Sequence, residues 1–370
     1  MQHKNSKEGK KKMKFIHMAD MHLDCPFTNL SDKENFGELR RLEQRKALKK
    51  IINYIKENNI EYFFIAGDLY EQQYIKKTTI EYINNLFKEI PNTKIYITPG
   101  NHDPYIKNSF YNNFLWNNNV HIFGSNVEII KNIEVDIYGY GFDDYYLKEE
   151  KVEKINIENK QKINILITHG TLDGASLEEK EYNSMPRKTL GAKGFDYVAL
   201  GHIHKTNYSE KENIIYPGST VSIGFDEIGK HGIIEGEIIN KKLITKFISI
   251  ETTEFDEIEL DITETISKEE LIEKINEIKL EENKLYKIIL IGKRNFEINT
   301  HELYKYNLDE KIIKIKNKTK PNFDLEKLAN ETTLKGLFAE EILERLNKCQ
   351  TEEERKIIEK AIEIGIDVLE

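Results

Sequence analysis

Several short apolar runs before residue 250 stop at glycine, aspartate, asparagine or histidine. "KFIHMAD" spans 14–20, "YFFIAGD" 62–68 and "KIYITPGN" 94–101; "VDIYGYG" spans 135–141, "INILITHG" 163–170 and "YVALGH" 197–202. Their length and their β-branched and aromatic content predict buried strands. Between the first three lie helical patterns. In 38–58, Leu39, Leu42, Leu48, Ile51, Ile52 and Ile55 recur near a 3.6-residue period, and 78–90 repeats the pattern until Pro91 closes it. Alternating strands and helices predict an α/β sheet. In such a sheet, ligands sit at the carboxyl ends of the strands, where residues distant in sequence meet. The basic residues of the first helix, Arg40, Arg41, Arg45, Lys46, Lys49 and Lys50, are expected to form a solvated face.

The pattern changes further on. Segments near 213–219, 231–239 and 242–250 are expected to be antiparallel strands joined by short turns. A polar stretch near 251–257 predicts a boundary. After it come a strand, the helix "SKEELIEKINEIK", the strand "KLYKIILIGKR", an unassigned stretch at 299–310, and the strand "KIIKIKNK". Pro321 and Asn322 mark a second break, and the remainder is helical, with Thr351 and Glu354 in capping-box spacing. Leu334, Leu337, Phe338, Ile342, Leu343 and Leu346 form an apolar stripe. The expected organisation is a disordered tail over 1–12, with Met13 as a candidate start, then domains over 13–253 and 254–321, and a helical segment over 322–370.

Composition excludes several classes. Two cysteines in 370 residues cannot build a disulfide framework or a thiolate zinc site, which fits a reducing cytoplasm. No run reaches the roughly 20 apolar residues of a membrane span. The net charge of −9 is not that of a generally basic nucleic-acid binder, so contact with a polyanion needs a local basic patch or metal ions.

The strand ends carry the chemistry. Asp20 and His22 follow the first, Asp68 the second, and Asn101, His102 and Asp103 the third; His169 ends a later strand, and His202 and His204 follow another. Carboxylate, imidazole and amide oxygen suit manganese, iron or zinc. One ion would use three or four such groups. The larger set argues for two divalent ions about 3.5–4 Å apart, bridged by one carboxylate, for which Asp68 is placed centrally. The spacing of His202 and His204 lets each serve a different ion. His17, three residues before Asp20, is a candidate for the layer behind the ligands. His3, His121, His231 and His301 are expected to be structural.

Taken in order, these motifs resemble the calcineurin-like metallophosphoesterase superfamily over 14–250. "FIHMADMHLDCPF", "GDLYEQ", "TPGNHDP" and "YVALGHIH" resemble SbcD-type DNA repair exonucleases, in the YhaO-like branch. The resemblance implies a four-layer α/β/β/α sandwich, followed by a small α+β capping domain and a helical segment that docks on an SbcC-like, SMC-type ATPase. It implies manganese-dependent cleavage of DNA in the cytoplasm, with no membrane, by a homodimer made by helices of the catalytic domain, for which 74–116 is a candidate interface. By the same resemblance, Asp20, His22 and His204 bind the first ion, Asp68 bridges, and Asn101, His169 and His202 bind the second. His102 assists the departing oxygen and Asp103 orients its imidazole. The family's second motif commonly reads Gly-Asp-Leu-Phe-Asp, so Tyr70 and Glu71 are departures from it.

Three rivals differ in their residues. A protein phosphatase of the superfamily carries Gly-Asp-x-x-Asp-Arg-Gly, where "LYEQQ" follows Asp68 here. A phosphodiesterase for small nucleotide-type substrates needs neither cap nor docking segment. A catalytically dead scaffold has no use for a full donor set.

Overall fold

The computed structural model describes residues 12–27, 35–174, 182–322 and 324–369. All but Lys12 of the expected disordered tail lies outside them. The chain divides into two compact units, Met1–Glu254 and Phe255–Glu370.

The first unit holds β1 (Lys12–Met18), α1 (Phe36–Glu57), β2 (Tyr62–Ala66), α2 (Lys77–Lys88), β3 (Lys94–Thr98), α3 (Phe110–Asn113), β4 (Val120–Ile122), β5 (Glu128–Lys131), β6 (Val135–Gly139), β7 (Ile163–His169), α4 (Arg187–Lys193), β8 (Tyr197–Gly201), β9 (Ile214–Ile215), β10 (Gly232–Ile239) and β11 (Lys242–Ser249). One sheet has the order β11-β10-β1-β2-β3-β4 and the other β5-β6-β7-β8-β9. β1 to β4 run parallel, as do β6 to β9. β10 and β11 form an antiparallel hairpin beside β1. Its two-residue turn places Asn240 and Lys241 at φ 50° and 69°, the left-handed pair that matches the twist of a tight hairpin.

Alternation along the strands explains the layering. Phe63 and Ile65 pack with α1 and α2, including Leu48, Ile51 and Ile83. Tyr62, Phe64 and Ala66 point the other way and meet Ile165, Ile167, Tyr197 and Ala199 between the sheets. Leu166, Val198 and Leu200 face outward onto Leu190 of α4 and Phe195. The result is an α/β/β/α sandwich.

Two expectations change, and two strands are added. Ile214–Ile215 pairs parallel to β8 in the second sheet, rather than joining an antiparallel set. The short, half-polar β4 and β5 lack the apolar signal that marks the others. The α1 stripe is also rotated. Leu39 is 63% exposed, whereas Arg40 is 2% exposed. Arg40 reaches the Ser222 carbonyl at 2.6 Å and pairs with Glu43. Gln44 donates to the carbonyls of Met21 and His22 at 2.9 and 2.8 Å. The loop after β1 and the segment around Ser222 present carbonyl groups to this part of the helix, so polar side chains fit there and leucines do not.

His17 is fully buried with its Nδ1 2.9 Å from the Tyr197 hydroxyl. Burial pushes it from 6.5 down to about 3. Below pH 6.5 the unfolded chain binds a proton that the folded chain refuses until about pH 3. Stability present above pH 6.5 is therefore lost progressively as pH falls through that window. Between pH 7 and pH 5 the loss is about 2 kcal/mol. His17→Gln is expected to remove this increment in denaturant unfolding; equal pH sensitivity of variant and wild type would refute it.

The second unit contains β12 (Glu254–Asp261), α5 (Lys268–Asn276), β13 (Lys284–Ile291), β14 (Lys293–Arg294), α6 (Thr300–Leu303), β15 (Ile312–Asn317), β16 (Lys320–Pro321), α7 (Leu325–Leu328), α8 (Leu334–Lys348) and α9 (Glu352–Leu369). β12, β13 and β15 form a sheet covered by Leu271 and Ile275 of α5. The unassigned stretch folds as α6, where the Asn299 side chain caps His301 N–H. Thr351 and Glu354 bond reciprocally at the start of α9. The α8 stripe divides: Phe338, Ile342 and Leu346 pack with Ile358 and Ile362 of α9, while Leu334 and Leu337 stay exposed. Among the described residues, no helix is long and apolar enough to cross a membrane.

Candidate metal centre

β1 leads into Asp20 and His22, β2 into Asp68, β3 into Asn101 and β8 into His202 and His204, while β7 ends on His169. These are carboxyl ends of parallel strands from both sheets. Asp20, His22, Asp68 and His202 have φ of 52°, 48°, 52° and 103°. This left-handed backbone is uncommon for residues with a side chain and marks sites where the fold holds strain. It turns each chain sharply as the strand ends. Two glycines permit the approach: a Cβ on Gly67 would lie 2.2 Å from His169 Nδ1, and one on Gly201 would lie 1.9 Å from the Ala66 carbonyl oxygen.

All seven expected ligands come together. Asp20, His22 and His204 form one group, and Asp20, Asp68 and His169 another. The Asn101 carboxamide oxygen lies 3.0 Å from both His169 Nε2 and His202 Nδ1. One Asp68 carboxylate oxygen lies 3.3 Å from His169 Nε2 and 3.8 Å from His22 Nε2, so it faces both groups. Its other oxygen accepts the His102 backbone N–H at 2.8 Å. Asp20 accepts the His202 backbone N–H at 2.9 Å.

The imidazoles are oriented from behind. His169 Nδ1 donates to the Ala66 carbonyl at 2.9 Å. His22 Nδ1 donates to Glu71 at 2.8 Å, and His204 Nδ1 to Glu227. Each bond leaves Nε2 turned inward, the arrangement a metal-binding histidine needs. His22 Nε2 and His204 Nε2 are 3.0 Å apart. With both outer nitrogens donating, two lone pairs face each other, and a shared proton or a cation makes that distance favourable. The donor set therefore fits two divalent ions.

The charges are strongly coupled. Burial would raise the Asp68 carboxyl, but the neighbouring His169, His102 and His22 hold it well below the usual range. Burial opposes protonation of His169 and His204, yet Asp68 beside the first and Glu227 beside the second push both up to about 9. Burial and the charge of His169 push His202 down to about 3.

His102 borders the candidate ligands: its ring centre lies 4.8 Å from that of His22, and it forms a third group with His22 and Glu71. Its side chain is 46% exposed, and its Nδ1 lies 3.0 Å from Glu71. Burial of the ring opposes its charged form, but Glu71 and Asp68 outweigh this and raise it to about 9. The expected contact of Asp103 with this imidazole is replaced by the Glu71 contact. Asp103 is fully buried and turned the other way. Its oxygens accept the backbone N–H groups of Asp68, Leu69 and Gly100 and the Tyr111 hydroxyl, at 2.6–3.0 Å. It ties the Asp68 turn to the Asn101 turn. His17 meets Tyr197 and not the ligand imidazoles.

Glu71 and Glu227 are the site residues with the weakest sequence signal. Glu71 shows only as a departure from a family motif. Glu227 gives no signal, since it lies on a coil 23 residues from His204. It also accepts from Ser219 Oγ at 2.5 Å and from the Ile223 N–H at 3.2 Å. Its carbonyl oxygen meets His231 Nε2 at 2.9 Å. Glu227→Ala is expected to weaken metal binding about 10–100-fold, with Glu227→Gln recovering part of the loss. Calorimetric titration with manganese reads the effect; unchanged affinity in the alanine variant would show that Glu227 only packs.

A family model described as calcineurin-like phosphoesterase matches residues 13–206. An uncharacterised metallophosphoesterase of Bacillus subtilis strain 168, YhaO, is 27% identical over 261 residues, covering 68% of this chain and 63% of its own length. The SbcD component of the nuclease SbcCD from Staphylococcus saprophyticus is 24% identical over 395 residues, covering 95% of this chain and 100% of its own. Among solved structures, a purple acid phosphatase from yellow lupin seeds superimposes with a TM-score of 0.39 and 12% identity, over 65% of this chain and 52% of that one.

Proposed function

The chain belongs to the calcineurin-like phosphoesterase family, and we propose that its centre hydrolyses phosphodiester bonds in DNA with two divalent cations, manganese being the expected ion. One observation carries this reading. Six inward-turned donors surround a seventh, the buried carboxylate of Asp68, beside a half-exposed imidazole, His102. When bound, divalent ions supply Lewis acidity toward phosphate oxygens and a nucleophile at neutral pH.

The chain's own residues do the rest. Asp20, His22 and His204 would hold one ion, Asn101, His169 and His202 would hold the other, and Asp68 would serve both. Asp103 fixes the two turns that carry Asp68 and Asn101. His102 reaches the solvent side of the site, where it donates a proton or a hydrogen bond to the departing oxygen. Glu71 accepts from its Nδ1 side and so turns Nε2 outward.

The relationship to the SbcD component of SbcCD supports nuclease action in a cytoplasmic repair complex with an SMC-type ATPase. In this reading 254–321 corresponds to the family's capping domain. The exposed Leu334 and Leu337 of the 322–370 segment offer the ATPase an apolar docking face. Dimerisation would use 74–116, where Tyr74 and Leu115 are exposed.

The test is incubation with manganese and end-labelled single-stranded and duplex DNA, beside bis-p-nitrophenyl phosphate. Manganese-dependent shortening of DNA is the expected result. Hydrolysis of the small ester without cleavage of either DNA would overturn the nuclease reading and move the substrate to a small nucleotide-type diester.

A further inference from the structure

The geometry points to a nucleobase-stacking shelf at the mouth of the metal centre, built by Tyr145 and Tyr146 and continued inward by Tyr182. This inference rests on the nuclease reading and deepens it, because it names the form of DNA that the site takes.

A cavity of about 200 Å³ has Asn101, His102 and Glu71 on one side and the three tyrosines on the other. Tyr182 stacks on the ligand His202, with ring centres 5.0 Å apart and planes 30° apart. Tyr146 lies against Tyr182 at 5.7 Å and 38°. A row of rings therefore runs outward from a metal ligand. Its outer end is open: Tyr145 and Tyr146 are 36% and 52% exposed. Neither belongs to the apolar cluster on this side of the sheet, although Tyr182 packs against that cluster. The inner ring is fixed by the core, and the outer rings present their surfaces to the cavity.

A phosphodiester placed against Asn101 and His102 carries its sugar and base into this same cavity. Every nucleobase has an aromatic face, so stacking on tyrosine holds it without reading its identity. A base in a duplex is already stacked and paired. The shelf can accept one only after it leaves the duplex, which costs least in a single strand, a mismatch or a frayed end. The tyrosines thus select unpaired nucleotides beside the scissile phosphate. They tolerate any sequence, since the row offers ring faces rather than a set of converging donors and acceptors.

The experiment uses full-length protein with manganese. It compares a single-stranded oligonucleotide with a chain of the same length that is abasic at the cleaved end. Wild type is expected to favour the normal strand about 10-fold in kcat/KM, within the range that base stacking supplies. Tyr146→Ala, and more fully Tyr145→Ala/Tyr146→Ala, should bring that ratio close to one, mainly through KM. Tyr146→Phe should keep it, because the ring face remains. The ratio is internal to each protein, so a change in folding or metal content does not imitate the result. An alanine variant with the wild-type ratio would overturn the shelf and leave the nuclease reading standing. Failure of wild type to cleave either strand, with bis-p-nitrophenyl phosphate still hydrolysed, would overturn the nuclease reading and the shelf together.

Discussion

Asp68→Asn is expected to leave the chain folded, to reduce its metal content from two ions to one or none, and to lower phosphodiesterase activity by about 10³-fold. The substitution keeps shape. The carboxamide oxygen can still accept the His102 N–H, which Asp68 holds at 2.8 Å. It removes a negative charge that faces both imidazole groups, 3.3 Å from His169 Nε2 and 3.8 Å from His22 Nε2. An amide nitrogen turned to those positions brings donors where a cation needs lone pairs. The packing around this carboxylate is close, since a Cβ on Gly100 would lie 2.2 Å from its oxygen. The amide therefore has little freedom to turn elsewhere. The loss should exceed that in Glu227→Ala, where a ligand is merely left unsupported. Elemental analysis of the purified variant, with bis-p-nitrophenyl phosphate turnover and circular dichroism beside it, reads the three effects. A variant that retains two ions and turns over normally would show that Asp68 does not bridge.

The donors were legible because each follows directly on an apolar strand. Strand and ligand lie within a few residues of each other, as in "YFFIAGD" and "YVALGHIH". A parallel sheet then gathers such ends without further instruction. The supporting contacts are different in kind. Glu227 reaches His204 across 23 residues of sequence, and Gln44 on α1 reaches the His22 carbonyl across 22. Nothing local in the sequence reports either contact. The burial of Arg40 has the same origin. A helix wheel shows which side chains share a face, but not that the covering segments present the carbonyls of Met21, His22 and Ser222, and Asp24, instead of apolar groups. The loop after β1 also takes a bond from Arg45, whose partner Asp24 accepts the Thr79 hydroxyl at 2.7 Å. Polar burial of this kind holds the ligand loop on the helix, and it is invisible to hydrophobic periodicity. Asp103 illustrates the limit of transferring a role by motif. Its neighbour His102 points to solvent, and adjacent residues in a tight turn point apart, so Asp103 binds the backbone beneath.

His102→Ala should separate metal binding from turnover. The ring contacts Glu71, and only the backbone N–H of His102 touches a ligand carboxylate. Alanine retains that N–H, so the Asp68 turn stays in place and two ions should still bind. Activity toward DNA should fall about 10²–10⁴-fold, the range for losing a positioned proton donor. The loss should depend on the leaving group. A p-nitrophenolate departs readily without a proton, whereas a sugar alkoxide does not, so the deficit on bis-p-nitrophenyl phosphate should be clearly smaller. Added imidazole should restore part of the DNA activity, because the alanine leaves space on the exposed side of the site. Glu71→Gln provides the complementary case. It keeps an acceptor beside His102 but removes the charge that helps to hold the imidazole in its cationic form, so it should fall between wild type and alanine. Equal losses on both substrates, without rescue by imidazole, would assign His102 to phosphate binding instead of proton donation. Loss of the ions in His102→Ala would make it a ligand and require the division into seven donors and one acid to be redrawn.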